Sequence, residues 1–164
     1  MAQDTGDSKL EKTLRKAIKA LLGEGLVASN VSERGGELLE LEIVRAKIGA
    51  IDENDEDVFE AACCDALTSV LTEAVVKKRI PRGKHRRILR YLLPLRKEFV
   101  GTDIHTRRKA AGENMTDGKK TVSAGTIRTY KEYEPAAVIE LARALVEMEI
   151  AHRRSRLKST SDAD

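Results

Sequence analysis

Hydrophobic residues recur every three or four positions along most of this chain, which is the spacing of one face of an α-helix. Near the N-terminus the recurring residues are Leu10, Leu14, Ile18, Leu21 and Leu22. Ser8 and Glu11 form a capping-box pattern that predicts the start of this helix, because each side chain can satisfy a free backbone N–H. Gly23 and Gly25 predict its end.

Two further helices are predicted in the N-terminal half. Residues 28–36 are predicted to be a polar loop, and residues 37–48 a helix that Gly49 ends. Asn54 is the predicted cap of a long helix over residues 55–78, which carries a broad apolar stripe. The stripe contains Val58, Phe59, Ala62, Cys63, Ala66, Leu67, Val70, Leu71, Ala74 and Val75. We expect it to be internal core, with an assembly surface as the alternative.

The C-terminal half is also predicted to be helical. A segment over residues 84–99 is interrupted by Pro94, and a short helix begins at Thr102 or Asp103. Ser123 is the predicted cap of a third helix, and Pro135 fits the first turn of a fourth. The predicted fold is all-α. An acidic helical domain at 8–79 precedes a basic helix-turn-helix domain at 80–154, with disordered ends at 1–7 and 155–164.

Composition agrees with this pattern and excludes some classes of protein. Aromatic residues make up only 3% of the 164 residues and there is no Trp, so the core is predicted to be aliphatic. No apolar run reaches the roughly 20 residues that a membrane span needs, so we expect no membrane partner. The polar N-terminus does not resemble a secretion signal. The expected location is the cytoplasm.

Charge is distributed unevenly along the chain. Residues 1–76 contain 8 Lys and Arg against 16 Asp and Glu, which is a net charge of −8. Residues 77–164 contain 22 Lys and Arg against 11 Asp and Glu, which is a net charge of +11. This asymmetry predicts that the basic half meets a polyanion.

The order of predicted elements after residue 81 is that of a helix-turn-helix unit. A helix that enters a DNA major groove needs small or hydrogen-bonding residues at its N-terminus, where its backbone approaches the bases. Ile127 and Tyr130 would hold this helix on the protein. The predicted DNA-binding residues that permit this approach include Ser123, Ala124 and Thr126. The residues predicted to reach bases are Arg128, Thr129 and then Lys131 or Glu132. The predicted phosphate contacts are Arg107, Arg108, Lys109, Lys119 and Lys120.

Two motifs in this half resemble known families. "IPRGKHRRILRYL" followed by "TVSAGTIRTYKEYE" resembles the helix-turn-helix of sigma-factor region four, with Val122, Ser123, Thr126, Ile127 and Arg128 on its recognition-helix pattern. The later part is similar to lambda-repressor-type domains and to helix-turn-helix segments of uncharacterised actinobacterial proteins. The resemblance implies a bacterial transcriptional regulator that binds double-stranded DNA, and it covers none of residues 1–76.

One segment departs from these families. "GENMTDGKKT", at residues 112–121, stands where the families have a tight turn, and it is several residues longer. This departure leaves an alternative open, in which the unit is a protein-interaction or adaptor module that no longer binds DNA. A single helix-turn-helix has a small footprint, so we expect a homodimer or a protein partner through the N-terminal helices.

Other functions receive little support from the sequence. There is no phosphate-binding loop, zinc-protease motif or nucleophile elbow, so we expect no enzyme and no cofactor. The adjacent Cys63 and Cys64 lack the spacing and the companion ligands of a metal site, and they are predicted to be buried thiols. Glu147 and Glu149 are predicted to be surface charges. The few aromatic residues disfavour RNA binding by stacking.

Overall fold

The fold was analysed in a computed structural model of the chain. It describes residues 2–49, 54–77, 80, 83–93, 95, 102–115 and 124–162, with the backbone alone at 2–5, 24, 112–115 and 124–131. These residues form eight helices and no strand, which confirms the predicted all-α class.

Four helices lie within residues 2–49. They are α1 at Ala2–Glu24, α2 at Ala28–Arg34, α3 at Gly36–Leu39 and α4 at Glu42–Ile48. The segment at 28–36, which was predicted to be a polar loop, is α2 and the first residue of α3, and Val31 turns inward and is fully buried. The single helix predicted over 37–48 is instead the rest of α3, with Leu38 buried, followed by α4. Ser8 lies within α1 and is not its cap, and the helix occupies the segment that was expected to be disordered.

The predicted long helix is α5, which spans Glu56–Val76. Its cap is Asp55 rather than Asn54, since the Asp55 side chain accepts a hydrogen bond from the backbone N–H of Val58 at 3.4 Å. Glu56 and Asp57 follow in the first turn, where negative charge suits the positive end of the helix dipole. Most of its apolar stripe is internal core, although Val58 is 50% exposed.

Three helices form the basic half. They are α6 at Lys84–Leu92, α7 at Ile104–Met115 and α8 at Ala124–Ser161. Helix α6 ends before Pro94, as the sequence predicts. Helix α8 has 38 residues and includes both the predicted recognition helix and the predicted packing helix, because it continues through Pro135. The expectation that Pro135 begins a separate helix is wrong, and α8 also extends to Ser161, within the tail that was expected to be disordered.

Helix α8 connects the two halves of the chain. It packs against α1, α4 and α5 from the acidic half and against α6 and α7 from the basic half. One hydrophobic cluster includes Leu14 and Leu67 from the first half and Ile88 and Leu141 from the second. The predicted boundary at residue 79 therefore does not divide the described residues into two separate cores.

A buried carboxylate fixes α8 to the start of α4. Glu149, which was expected to be a surface charge, is fully buried and accepts hydrogen bonds from the backbone N–H groups of Glu42 and Ile43 at 3.0 and 3.1 Å. Arg153 lies one turn further along α8 and its Nη2 is 3.0 Å from Glu149. We call this cluster, Glu149 with Arg153 and the first two amides of α4, the Glu149 junction.

Candidate nucleic-acid interface

The outward face of α6 is basic and open to solvent. Arg87 and Arg90 are exposed and lie three positions apart, so at about 100° per residue they are neighbours on one helix face. Ile88, Leu89 and Leu92 are fully buried on the opposite side. Within the part of the chain that the structure describes, no acidic side chain pairs with Arg87 or Arg90. Both guanidinium groups are therefore available to an external anion.

Contacts with α8 position the first turn of α6. The Nζ atom of Lys84 lies 5.0 Å from the centre of the Tyr133 ring and 3.5 Å from its hydroxyl oxygen. His85 Nδ1 lies 2.9 Å from a carboxylate oxygen of Glu140. Tyr133 and Glu140 both belong to α8, so these contacts set the orientation of the basic face of α6 relative to the long helix.

A third arginine of α6 forms a contact within the protein. Arg86 donates a hydrogen bond to the carbonyl oxygen of Val76, the last residue of α5. The carbonyl groups at a helix C-terminus lack partners within the helix and form its negative end. Arg86 therefore joins α6 to α5 and is less accessible to a ligand than Arg87 and Arg90.

Helix α7 begins at a well-formed cap. The Asp103 carboxylate accepts hydrogen bonds from the backbone N–H of Thr106 at 2.9 Å and from the Thr106 hydroxyl at 2.8 Å. These bonds, the backbone one first, lower the pKa of Asp103 because they favour its charged form. The cap fixes the register of the α7 residues that were predicted to contact phosphate.

Arg107 is not available to a phosphate in this structure. Its side chain is fully buried, and the guanidinium donates hydrogen bonds to the carbonyl oxygens of Leu92 and, at 3.0 Å, of Leu22. Burial lowers the pKa of Arg107, and the nearby Asp103 charge opposes this shift. The predicted phosphate contact is thus corrected to a structural residue that joins α1, α6 and α7. We call this cluster, Arg107 with Asp103 and the carbonyls of Leu22 and Leu92, the Arg107 junction.

Arg108 is engaged with an acid of α8. Its Nε and Nη2 atoms donate hydrogen bonds to the two carboxylate oxygens of Glu134, at 2.6 and 2.9 Å. The side chains of Arg108 and Glu134 are 22% and 13% exposed. Arg108, another predicted phosphate contact, is therefore paired and mostly covered.

The remaining predicted contacts are only partly described. Lys109 is exposed on α7. Lys119, Lys120 and Ser123 lie outside the described residues, as does the rest of the long turn from residue 116 on. Ala124 and four further predicted DNA-binding residues lie within the first turns of α8, where the backbone alone is described: Thr126, Arg128, Thr129 and Lys131.

Sequence reasoning missed two buried charges that a stricter use of helical spacing identifies. Glu149 follows Leu145 by four positions, and Arg107 precedes Ala111 by four positions. Each therefore lies on the buried face of its own helix. A charge at such a position is a signal for a buried partner, because an isolated buried charge is very costly.

The described residues offer no metal site. They contain no group of three or more His, Cys, Asp or Glu that is arranged to hold an ion. Cys63 and Cys64 are free thiols, and burial, the largest cause, raises the pKa of both. None of the helices in the described ranges is long and apolar enough to cross a membrane. Comparison with protein families, curated proteins and solved structures found no match to this chain.

Proposed function

We propose that this protein is a DNA-binding transcriptional regulator whose basic half contacts duplex DNA. The outward face of α6, with Arg87 and Arg90, would contact phosphates together with Lys109. The first turns of α8 would approach the major groove with Thr126, Arg128, Thr129 and Lys131. The observation that carries this proposal is the pair of exposed, unpaired arginines on α6, in a half with a net charge of +11.

The geometry favours phosphate contact over an ordinary solvated face for one reason. Most of the other described arginines of the basic half have partners within the protein, and Arg154, which is exposed on α8, is the exception. Those with partners are Arg86, Arg107, Arg108, Arg143, Arg153 and Arg156. Arg87 and Arg90 stand apart from them, on one face of one helix. Because a guanidinium binds phosphate oxygens through paired N–H groups, two adjacent ones suit a DNA backbone.

A salt series tests this proposal. Binding of a labelled duplex is measured between about 50 and 200 mM salt for the protein and for an Arg87→Gln/Arg90→Gln variant. We expect the variant to lose about two units from the slope of log affinity against log salt, since each phosphate contact contributes about 0.9. The matched control is Lys12→Gln/Lys16→Gln, which removes two exposed charges from α1.

The possible outcomes distinguish an error in the proposed binding face from an error in the proposed function. An equal loss in the α1 control would show that binding does not depend on the α6 face. Absence of duplex binding by the unaltered protein at the lowest salt would overturn the DNA-binding proposal.

The alternative is an adaptor that binds a protein through its helices and does not bind DNA. It is favoured by the engagement of Arg107 and Arg108 within the fold, and by the continuity of α8, which makes the expected reading helix part of a packing helix. A defined complex of the full chain with one protein partner, with no duplex binding at low salt, would support this alternative. Sedimentation of the purified chain distinguishes a homodimer from a monomer.

A further inference from the structure

The Arg108–Glu134 pair lies beside the proposed DNA-contacting segments. Arg108 is on α7 and Glu134 is on α8, three residues after the helical turns that were predicted to read bases. Both side chains border an open surface cavity of about 340 Å³, together with Lys19, Ile104 and Pro135. The pair is therefore mostly covered by protein but borders a space that solvent and ligands can enter.

The geometry of this pair resembles that of an arginine bound to a phosphate. Two N–H groups of one guanidinium point to two oxygens of one anion, at 2.6 and 2.9 Å. Carboxylate and phosphate groups both accept this paired arrangement. While Glu134 occupies Arg108, the same N–H groups cannot bind a DNA phosphate.

We propose that Glu134 is an internal competitor that withholds Arg108 from the DNA backbone and so limits affinity for DNA. This inference rests on the proposed function, since it concerns the same interface. In the unaltered protein the Nε and Nη2 donors of Arg108 are held by Glu134 and make no phosphate contact. Loss of the Glu134 carboxylate releases these two donors, which then add one contact at the junction of α7 and α8.

The inference differs from a purely structural role for the pair. If Glu134 only holds α7 against α8, its removal loosens the interface and DNA binding weakens or stays the same. If Glu134 competes with phosphate, its removal strengthens binding, and the gain requires Arg108. The direction of the change therefore separates the two roles.

The test compares Glu134→Gln with Glu147→Gln in the full chain, using the labelled duplex and salt series. Glu147 is exposed on the same helix, away from the proposed DNA-contacting turns, so its variant removes the same charge without breaking a described pair. We expect Glu134→Gln to bind about fivefold more tightly and to steepen the salt slope by about one unit. Glu147→Gln should change the slope little.

Two further variants show whether the gain in DNA affinity depends on Arg108. They also keep the inference testable if Glu134→Gln does not fold. In Arg108→Gln/Glu134→Gln, which leaves no orphaned charge, the salt slope should return to that of the unaltered protein. Arg108→Gln alone should also leave the salt slope unchanged. This measurement tests the inference even if a thermal melt shows that Glu134→Gln is poorly folded. A slope that falls by about one unit in Arg108→Gln would overturn the inference, because Arg108 would already contact phosphate.

The failures of the inference and of the proposed function are distinguishable. If the unaltered protein binds DNA and a folded Glu134→Gln variant gains nothing over Glu147→Gln, only the inference is overturned. If neither protein binds the duplex at the lowest salt, the proposed function is overturned and the inference with it.

Discussion

The Arg107 junction and the Glu149 junction each bury one charge where helices end, but they meet helix ends of opposite polarity. Arg107 donates to carbonyls in the last turn of α1 and α6, which are negative ends. Glu149 accepts from the first two amides of α4, a positive end. In each case the sign of the buried charge matches the helix ends that it meets, so the polarity of the backbone explains why a charge is tolerated there.

The two junctions differ in how their charge is balanced. Glu149 has a cationic partner in Arg153, which is 55% exposed and brings solvent close to the pair. Arg107 donates to no carboxylate in the described ranges, and its Nε lacks a hydrogen-bond partner there. The comparison teaches that Arg107 depends more completely on backbone carbonyls, so its loss should cost more.

The largest expected effect follows from Arg107→Met. The change keeps a long apolar side chain but leaves two buried carbonyl oxygens without their donor, so the free energy of unfolding should fall by about 3 kcal/mol. Denaturant unfolding measures this loss. Arg154→Met, at an exposed position of α8, is the control and should change stability by less than about 0.5 kcal/mol. Unchanged stability in Arg107→Met would contradict this expectation. It would mean that the free energy needed to bury the guanidinium equals the free energy gained from its hydrogen bonds.

Glu149→Gln should have the next largest effect. The neutral amide offers one oxygen to two backbone N–H groups and no charge to Arg153, so stability should fall by about 2 kcal/mol. The same unfolding experiment applies, with exposed Glu147→Gln as the matched control. If Glu149→Gln costs more than Arg107→Met, the order inferred from the balance of charge is wrong.

A smaller loss is expected for Arg153→Gln. Because the Arg153 side chain is 55% exposed, solvent screens its attraction to Glu149, and the cost should be about 0.5 kcal/mol. The difference in stability between Arg153→Gln and the unaltered protein should become smaller as salt is added. A loss as large as that of Glu149→Gln would show that the cation, rather than the α4 amides, stabilises the buried carboxylate.

The smallest effect concerns pH and Asp103 in the Arg107 junction. Its pKa is lowered in the folded protein, so its carboxylate stabilises the fold above the pKa of the unfolded chain. That contribution is lost as pH falls through the lower, folded pKa. Asp103→Asn, which still caps α7, should therefore give a shallower loss of thermal stability on the acid side. Parallel melting curves for the two proteins across the acid range would contradict this.

Local patterns in the sequence predicted much of the core. Helical spacing identified Leu14 and Ile18 in α1 and Leu141 and Leu145 in α8 as buried, and the structure agrees. Helical spacing predicts burial correctly here because an apolar helix face is buried against any other apolar face. The prediction does not depend on knowing which helix provides that second face.

Features that depend on one distant partner were not predicted. The most distant partners of Glu149 and Arg107 are the Glu42 amide and the Leu22 carbonyl, which lie 107 and 85 positions away, so no local window contains them. Pro135 was expected to begin a helix because of its local preference, but α8 continues through it from Ala124 to Ser161. In the candidate interface, the sequence shows that α6 is rich in arginine. Only the folded structure shows that Arg87 and Arg90 lack an acidic partner among the described residues.

The order of the helices along the chain has a consequence for synthesis. Helices α1 and α4 are made before the long helix that covers α1 and supplies the cap of α4. A ribosome releases these two helices before that partner exists, so part of their apolar faces stays uncovered until α8 emerges. Chaperone demand should therefore be high until α8 emerges, and a chain truncated within α8 should be an early target for proteolysis.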